Sequence, residues 1–266
     1  MSLPTVSDNV LVDHAVSDSA VSDGETILME NVGVRYKVAN QRIATFKEYM
    51  IRRIQGKVQN RDFWALRGIN LNIHRGETFG FIGHNGAGKS TLLKLVARVL
   101  KPTEGRVVVR GRVAPLLEIG AGFHNELTGR ENVFLNGALL GFSRHEMEEK
   151  FDRIVEFAEL WDFIDAPMRT YSTGMWARLG FAVATDSQPD VLIVDEVMAV
   201  GDQAFLNKSY NRIMGFRDNG ATILIVSHSM QLIEQLCHRV AWIDHGGLRC
   251  LDEASKIIPE YLEHFK

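Results

Sequence analysis

Apolar residues run without interruption through VLIVD, residues 191–195, and TILIV, residues 222–226. Short apolar runs of this kind predict strands buried on both faces, as in a parallel sheet. Two earlier stretches behave differently. TILMENVGVRYKV, from Thr26, is strand-like, and FWALRGINLNI, residues 63–73, alternates apolar and polar positions as a half-buried strand does. These two predict an added antiparallel β region. Between and after them the period changes to that of helices near 89–99, 129–140, 144–160, 173–187 and 203–216, with a further strand near 105–110. Short elements continue to the end, closing with a C-terminal helix over 252–266. Helices alternating with buried strands predict an α/β fold, a mainly parallel sheet flanked by helices, with a helical subdomain at about 115–185.

Two segments stand outside this alternation. Residues 1–25 contain no Lys or Arg and repeat Val-Ser-Asp three times, the composition of a disordered acidic tail. Segment 41–61 places Ile43, Phe46, Met50 and Ile54 on one helical stripe, with Arg42, Lys47, Arg52, Arg53, Lys57 and Arg61 around it. A basic amphipathic helix suits a membrane surface or a partner protein, and a solvated surface helix explains the pattern equally well.

Composition narrows the classes. A hydrophobic content of 45% over 266 residues supports a sizeable core. The net charge of −3 argues against nucleic acid as a partner. Cys237 and Cys250 are too few for a disulfide framework or a four-thiolate metal site. No apolar run is long enough to span a bilayer and no signal peptide is seen, so a cytoplasmic chain is expected, reaching any membrane through a partner.

The chemistry begins at FGFIGHNGAGKSTLLKL, which reads as strand, glycine-rich loop and helix. Gly83, His84, Asn85, Gly86, Ala87, Gly88, Lys89 and Ser90 have the spacing of a phosphate-binding loop, followed by Thr91. Glycines let backbone amides curl around phosphate oxygens, Lys89 reaches the outer phosphates, and the Ser90 hydroxyl suits Mg²⁺. A nucleoside triphosphate is the implied ligand. VLIVDE then delivers Asp195, suited to holding magnesium, and Glu196, suited to polarising an attacking water. TILIVSHS delivers Ser227 and His228 to the same edge, where His228 suits a sensor of the terminal phosphate. RTYSTGMWARLGFAVA, residues 169–184, starts a helix with small polar residues and no acid. Such a start serves either as an ordinary cap or as an anion site.

Taken in this order and at these distances, the four motifs resemble those of the ATP-binding subunit of ABC transporters. The resemblance implies a P-loop ATPase of the ABC type over residues 26–251. YSTGM stands where that family has LSGGQ; Ser172 and Gly174 agree, whereas Tyr171, Thr173 and Met175 depart. It implies that Ser172 and Gly174 meet the γ-phosphate of ATP bound to a second copy, in a head-to-tail homodimer with two ATP molecules at its interface. AVGD, residues 199–202, matches the family's D-loop through Asp202. Tyr36 falls where an aromatic side chain would stack on adenine, although a core tyrosine competes. The family's glutamine between phosphate loop and signature is missing from PLLEIGAGFHNELTGREN; Glu118 is the nearest replacement for that magnesium contact, or is structural.

FWALRGINLNI, LLEIGAGFHNELTGREN, YSTGMWARLGFAVA and DEVMAVGD together resemble the ATPases of bacterial polysaccharide exporters, which move O-antigen, capsule or teichoic acid chains on a lipid carrier. That resemblance implies a membrane permease as partner and a peripheral position on the cytoplasmic face of the membrane. Because the chain stops at Lys266, recognition of the glycan end is not expected of it. Another cargo, or a soluble ABC ATPase acting on ribosomes or DNA, is the alternative; a small-molecule kinase leaves the signature, Asp-Glu and His unexplained.

Overall fold

The computed structural model describes residues 24–39, 60–117, 119–195, 202–227 and 229–264. Its centre is a six-stranded sheet in the order β5-β6-β7-β3-β8-β9. The strands are β3 (Thr78–Ile82), β5 (Val113–Leu116), β6 (Val191–Asp195), β7 (Thr222–Val226), β8 (Arg239–Asp244) and β9 (Gly247–Glu253). All neighbours are parallel except β9, which returns antiparallel from β8 through a tight turn. A second, antiparallel sheet has the order β2-β1-β4, formed by β1 (Glu25–Ala39), β2 (Asn60–His74) and β4 (Glu104–Val109).

The uninterrupted apolar runs are explained by what covers each face. Phe79, Phe81, Val191, Ile193, Leu224 and Val226 pack with Ile27, Leu66, Ile69 and Ile73 of the antiparallel sheet and with helix α1 (Lys89–Val96). The alternate positions Ile82, Leu192, Val194, Ile223 and Ile225 pack with the helices of the other face. Adjacent side chains along a strand thus enter two different cores, while those two apart share one, so the strand interiors are apolar at successive positions. Gly80 is the extreme case, since a Cβ there would sit 3.1 Å from both Ile233 and Val240.

The second core contains α2 (Gly129–Leu139), α3 (Arg144–Ala158), α4 (Thr173–Ala184), α5 (Gln203–Asp218), α6 (Met230–Leu236) and α7 (Ala254–His264). Helices α2 to α4 form the helical part between β5 and β6. Thr128 and Ser143 close capping boxes with Glu131 and Glu146, which fixes where α2 and α3 begin. Several helices stop short of their apolar periodicity for local reasons. Glu159 ends α3 in a left-handed conformation at φ 59°, and Arg98 turns the chain after α1 at φ 60°. Thr185 ends α4 with its hydroxyl bonded back to the Phe181 carbonyl at 2.7 Å. The N-terminal tail lies outside the described residues as far as residue 23, and β1 begins at Glu25, inside the stretch expected as tail. The basic segment also lies outside them, apart from Asn60 and Arg61 at the start of β2.

Candidate functional site

The loop from β3 to α1 is shaped by two glycines that no other residue replaces. Gly83 has φ 149° and a Cβ there would lie 2.2 Å from the Ile243 carbonyl oxygen. Gly88, at φ 114°, would drive a Cβ to 2.7 Å from Leu66 and 2.9 Å from the Ala65 carbonyl. The loop therefore lies tight against β8 and β2, with its amides turned along a curved path. Gly88 caps α1 without a side-chain bond, and no acid occupies the helix's first turn. The N-terminus of α1 is thereby left suited to an anion. Lys89 Nζ donates to the carbonyls of Gly83 at 2.5 Å and His84 at 3.1 Å, which holds the ammonium at the loop.

Parallel register aligns the carboxyl ends of the strands with this loop. Asp195 pairs with Val226, and Val226 with Phe81, so β6, β7 and β3 end at one edge. A cavity of about 410 Å³ opens there, lined by Asn85, Gly86, Gly88, Lys89, Ser90, Thr91, Asp195 and Val226. Tyr36, Phe63 and Ala65 form its other wall. Tyr36 and Phe63 are register partners on β1 and β2 and are 41% and 54% exposed. Exposure on this scale separates Tyr36 from the core tyrosine that the sequence left as a competitor. Phe63 is the residue that sequence reasoning missed; its available signal was a second large aromatic at a solvent-facing position of an alternating strand. Two aromatic faces beside a curved set of amides and a lysine can hold a planar ring and a polyphosphate together. The Ser90 hydroxyl and Asp195 carboxylate are oxygen donors of the type Mg²⁺ takes, and both line this cavity.

Other predicted residues stand elsewhere. Ala87 is buried beneath the loop. The His84 imidazole turns to Asp244, with Nε2 3.3 Å from Oδ1, so only its backbone belongs to the loop's phosphate-facing curve. Ser172 caps α4, its Oγ accepting from the Met175 amide at 3.2 Å, and the first turn again carries no acid. Ser172 is exposed, and a Cβ on Gly174 would touch nothing nearer than Ser172 Oγ at 3.8 Å. Neither residue lines the cavity. Tyr171 is occupied structurally: its hydroxyl donates to the Phe163 carbonyl at 2.8 Å, and burial pushes its pKa up to about 12. Asp202 caps α5 through the Phe205 amide at 2.9 Å and pairs with Arg178 of α4. The Phe205 amide and Arg178 hold its carboxyl below the usual aspartate range. Ser227 accepts from the Ser229 amide at 3.1 Å. Glu118, Glu196 and His228 lie outside the described residues, as do residues 199–201 of the D-loop motif.

A model of the ABC transporter family matches residues 66–199, from β2 through the strand that carries Asp195. This chain belongs to the ABC transporter family. It is 46% identical over 244 residues to the O-antigen export system ATP-binding protein RfbB of Myxococcus xanthus, covering 90% of this chain and 56% of that protein. With the protein of the same name from Klebsiella pneumoniae it shares 50% identity over 204 residues, 77% of this chain and 83% of the relative. The chain thus spans little more than half of the first relative and most of the second. Among solved structures, a dimeric ATP-binding cassette in a post-hydrolysis state with ADP and phosphate superposes with a TM-score of 0.66. That match covers 86% of this chain and 98% of the cassette at 21% identity, and establishes the shared fold. No helix among the described residues is long and apolar enough to cross a membrane.

Proposed function

We propose that this chain is the ATP-binding and ATP-hydrolysing subunit of a bacterial exporter that moves a lipid-linked polysaccharide, of O-antigen, capsule or teichoic acid type, through a separate membrane permease. The observation that carries the ATPase half of this reading is the single cavity shared by Lys89, Ser90, Thr91, Asp195 and the Tyr36–Phe63 pair. The names borne by its relatives support the cargo. In this reading Tyr36 and Phe63 hold adenine, and the amides of residues 83–91 with Lys89 hold the phosphates. Ser90 and Asp195 would hold Mg²⁺, which when bound neutralises charge on the phosphate oxygens. Glu196 orients and deprotonates the attacking water, and His228 contacts the terminal phosphate. Ser172 and Gly174 complete the site of a second copy, so ATP draws two chains together and loss of phosphate releases them.

The permease requires a surface away from the nucleotide. A groove of about 220 Å³ between the sheet and the helical part is lined by Val99, Leu117, Ile119, Leu139 and Leu140, and Val99 and Leu139 are 73% and 66% exposed. Its apolar lining suits that partner, on the cytoplasmic face of the membrane. The deciding experiment replaces the chromosomal chain in the native host by its Glu196→Gln form. ATP binding is expected to persist while turnover falls about 10²- to 10⁴-fold, as for loss of a general base. Surface glycan is expected to disappear and lipid-linked polymer to accumulate inside the cell. Wild-type turnover would remove the role of Glu196; lost turnover with normal surface glycan would remove polysaccharide as the cargo.

A further inference from the structure

The proposed magnesium donors lie toward β6, whereas a second cluster gathers on the other side of the phosphate loop, at the end of β8. His84 Nδ1 lies 2.8 Å from the Asn85 carbonyl oxygen. A carbonyl only accepts, so Nδ1 carries the hydrogen, and in the neutral ring Nε2 is left with its lone pair. That Nε2 is buried and makes no hydrogen bond among the described residues, yet it faces Asp244 Oδ1 at 3.3 Å. Two lone-pair atoms at this separation repel unless a positive centre joins them. His245 Nε2 approaches the same Asp244 Oδ1 to 3.8 Å, and all three donor atoms lie within 4.8 Å of one another. A proton on His84 would serve the first pair alone; a metal ion would use all three.

We propose that His84, Asp244 and His245 form a binding site for a transition-metal dication of the zinc class, which ties the phosphate loop to the turn between β8 and β9. Ligands about 2.0–2.2 Å from a tetrahedral ion stand roughly 3.3–3.6 Å apart, the spacing that His84 and Asp244 already have at 3.3 Å, whereas His245, 3.8 Å from Asp244, has to close in. His245 is 84% exposed along its side chain, which lets it swing inward and leaves the fourth position to water. Two imidazoles and one carboxylate favour Zn²⁺, Ni²⁺ or Cu²⁺ over Mg²⁺, which prefers oxygen donors. The bond from His84 Nδ1 to a backbone carbonyl is the outer contact that fixes a ligating histidine's tautomer. Arg249 Nη1 stands 3.9 Å from Asp244 Oδ2, on the carboxylate oxygen the site does not use.

The cluster is coupled to the loop through the backbone. Gly246 donates to the Ala87 carbonyl at 2.9 Å and accepts from the Arg67 amide at 2.8 Å, so the turn already rests on the loop and β2. Lys89 in turn donates to the His84 carbonyl at 3.1 Å. A metal held by His84 therefore acts on the strand-loop junction that positions the lysine.

The test is titration of the metal-free full chain with Zn²⁺ and, for its visible spectrum, with Co²⁺, in excess Mg²⁺. One Zn²⁺ per chain and a tetrahedral Co²⁺ spectrum without thiolate bands are expected. His245→Ala and Asp244→Asn, with unchanged circular dichroism, are each expected to weaken binding about 10- to 100-fold or more. Absence of stoichiometric Zn²⁺, equal affinity in both variants, or thiolate bands from Cys237 or Cys250 would overturn the site and leave a protonated His84 paired with Asp244. The link to nucleotide rests on the ATP reading, so it is measured separately with fluorescent ADP. Zn²⁺ is expected to change its affinity severalfold in the wild type and not in His245→Ala. No change in the wild type would overturn the tie to the loop, and failure to bind ADP at all would count against the ATP reading with the metal result intact.

Discussion

Phe63 and Tyr36 face one another across antiparallel strands, and both stay exposed although the rest of that sheet contributes Ile27, Leu66, Ile69 and Ile73 to a core. Large aromatics left at the wall of a cavity that also holds Lys89 and Asp195 suit a flat ligand, and stacking on a base is worth about 1–3 kcal/mol per aromatic. Phe63→Ala and Tyr36→Ala are each expected to weaken ATP binding about 5- to 150-fold, with little effect on inorganic triphosphate, which has no ring to stack. Parallel titrations of both ligands check this, and equal losses for both would mean that the aromatics shape the loop rather than hold adenine. At this scale the phosphate loop, Lys89, Ser90 and Asp195 were legible in the sequence because loop geometry and strand ends are local. Phe63 was not, because its pairing with Tyr36 depends on a register set 27 residues away. Nor were the partners of His84, since Asp244 and His245 reach it only through the pairing of β8 with β3.

Elements followed the period of their apolar positions closely wherever a core face decided them. The two buried strands β6 and β7 occupy the expected runs because both faces are covered, leaving no register in which a polar residue would be better placed. Pro115 is unusual in a strand, and β5 tolerates it because among the described residues β5 is the sheet's edge and pairs with β6 alone. A buried charged joint adds to the apolar helix–helix packing of the helical part. Asp186, 5% exposed along its side chain, follows α4 and accepts from Arg153 at 2.6 and 2.8 Å and from Lys150 at 3.0 Å, both on α3. Burial raises its pKa, and the bonds from Arg153 and Lys150 outweigh that and leave it below 3.8. Asp186→Asn leaves two cations facing a neutral amide and is expected to cost about 2–3 kcal/mol, read as a lowered denaturant midpoint with an unchanged slope. Because the folded pKa is depressed, this contribution is present above the unfolded value of 3.8 and is lost as pH falls through the folded value. The gap between wild type and variant should therefore close in acid; a gap that persists there would assign the loss to packing instead.

Across the whole molecule, the nucleotide cavity and the polar start of α4 are separate features of one chain. Lys89 and Asp195 line the cavity, whereas Ser172 is exposed on the helical part with an acid-free helix terminus behind it. If two copies meet head to tail, each site takes its loop from one chain and its α4 terminus from the other. That arrangement makes an unusual demand on mixtures. Lys89→Ala removes the loop's cation and Ser172→Arg blocks the α4 terminus, so each homodimer carries two defective sites. In a mixed dimer both defects fall on the same site, and the other receives an intact loop from one chain and an intact α4 from its partner. Equal mixing gives about half mixed dimers, so roughly a quarter of all sites become competent. The two inactive proteins, once mixed, are expected to recover ATPase activity of that order, rising and then falling as the ratio is varied. A mixture as inactive as its components, with both chains shown to exchange, would mean that each site is built within one chain and that Ser172 serves α4 only as its cap.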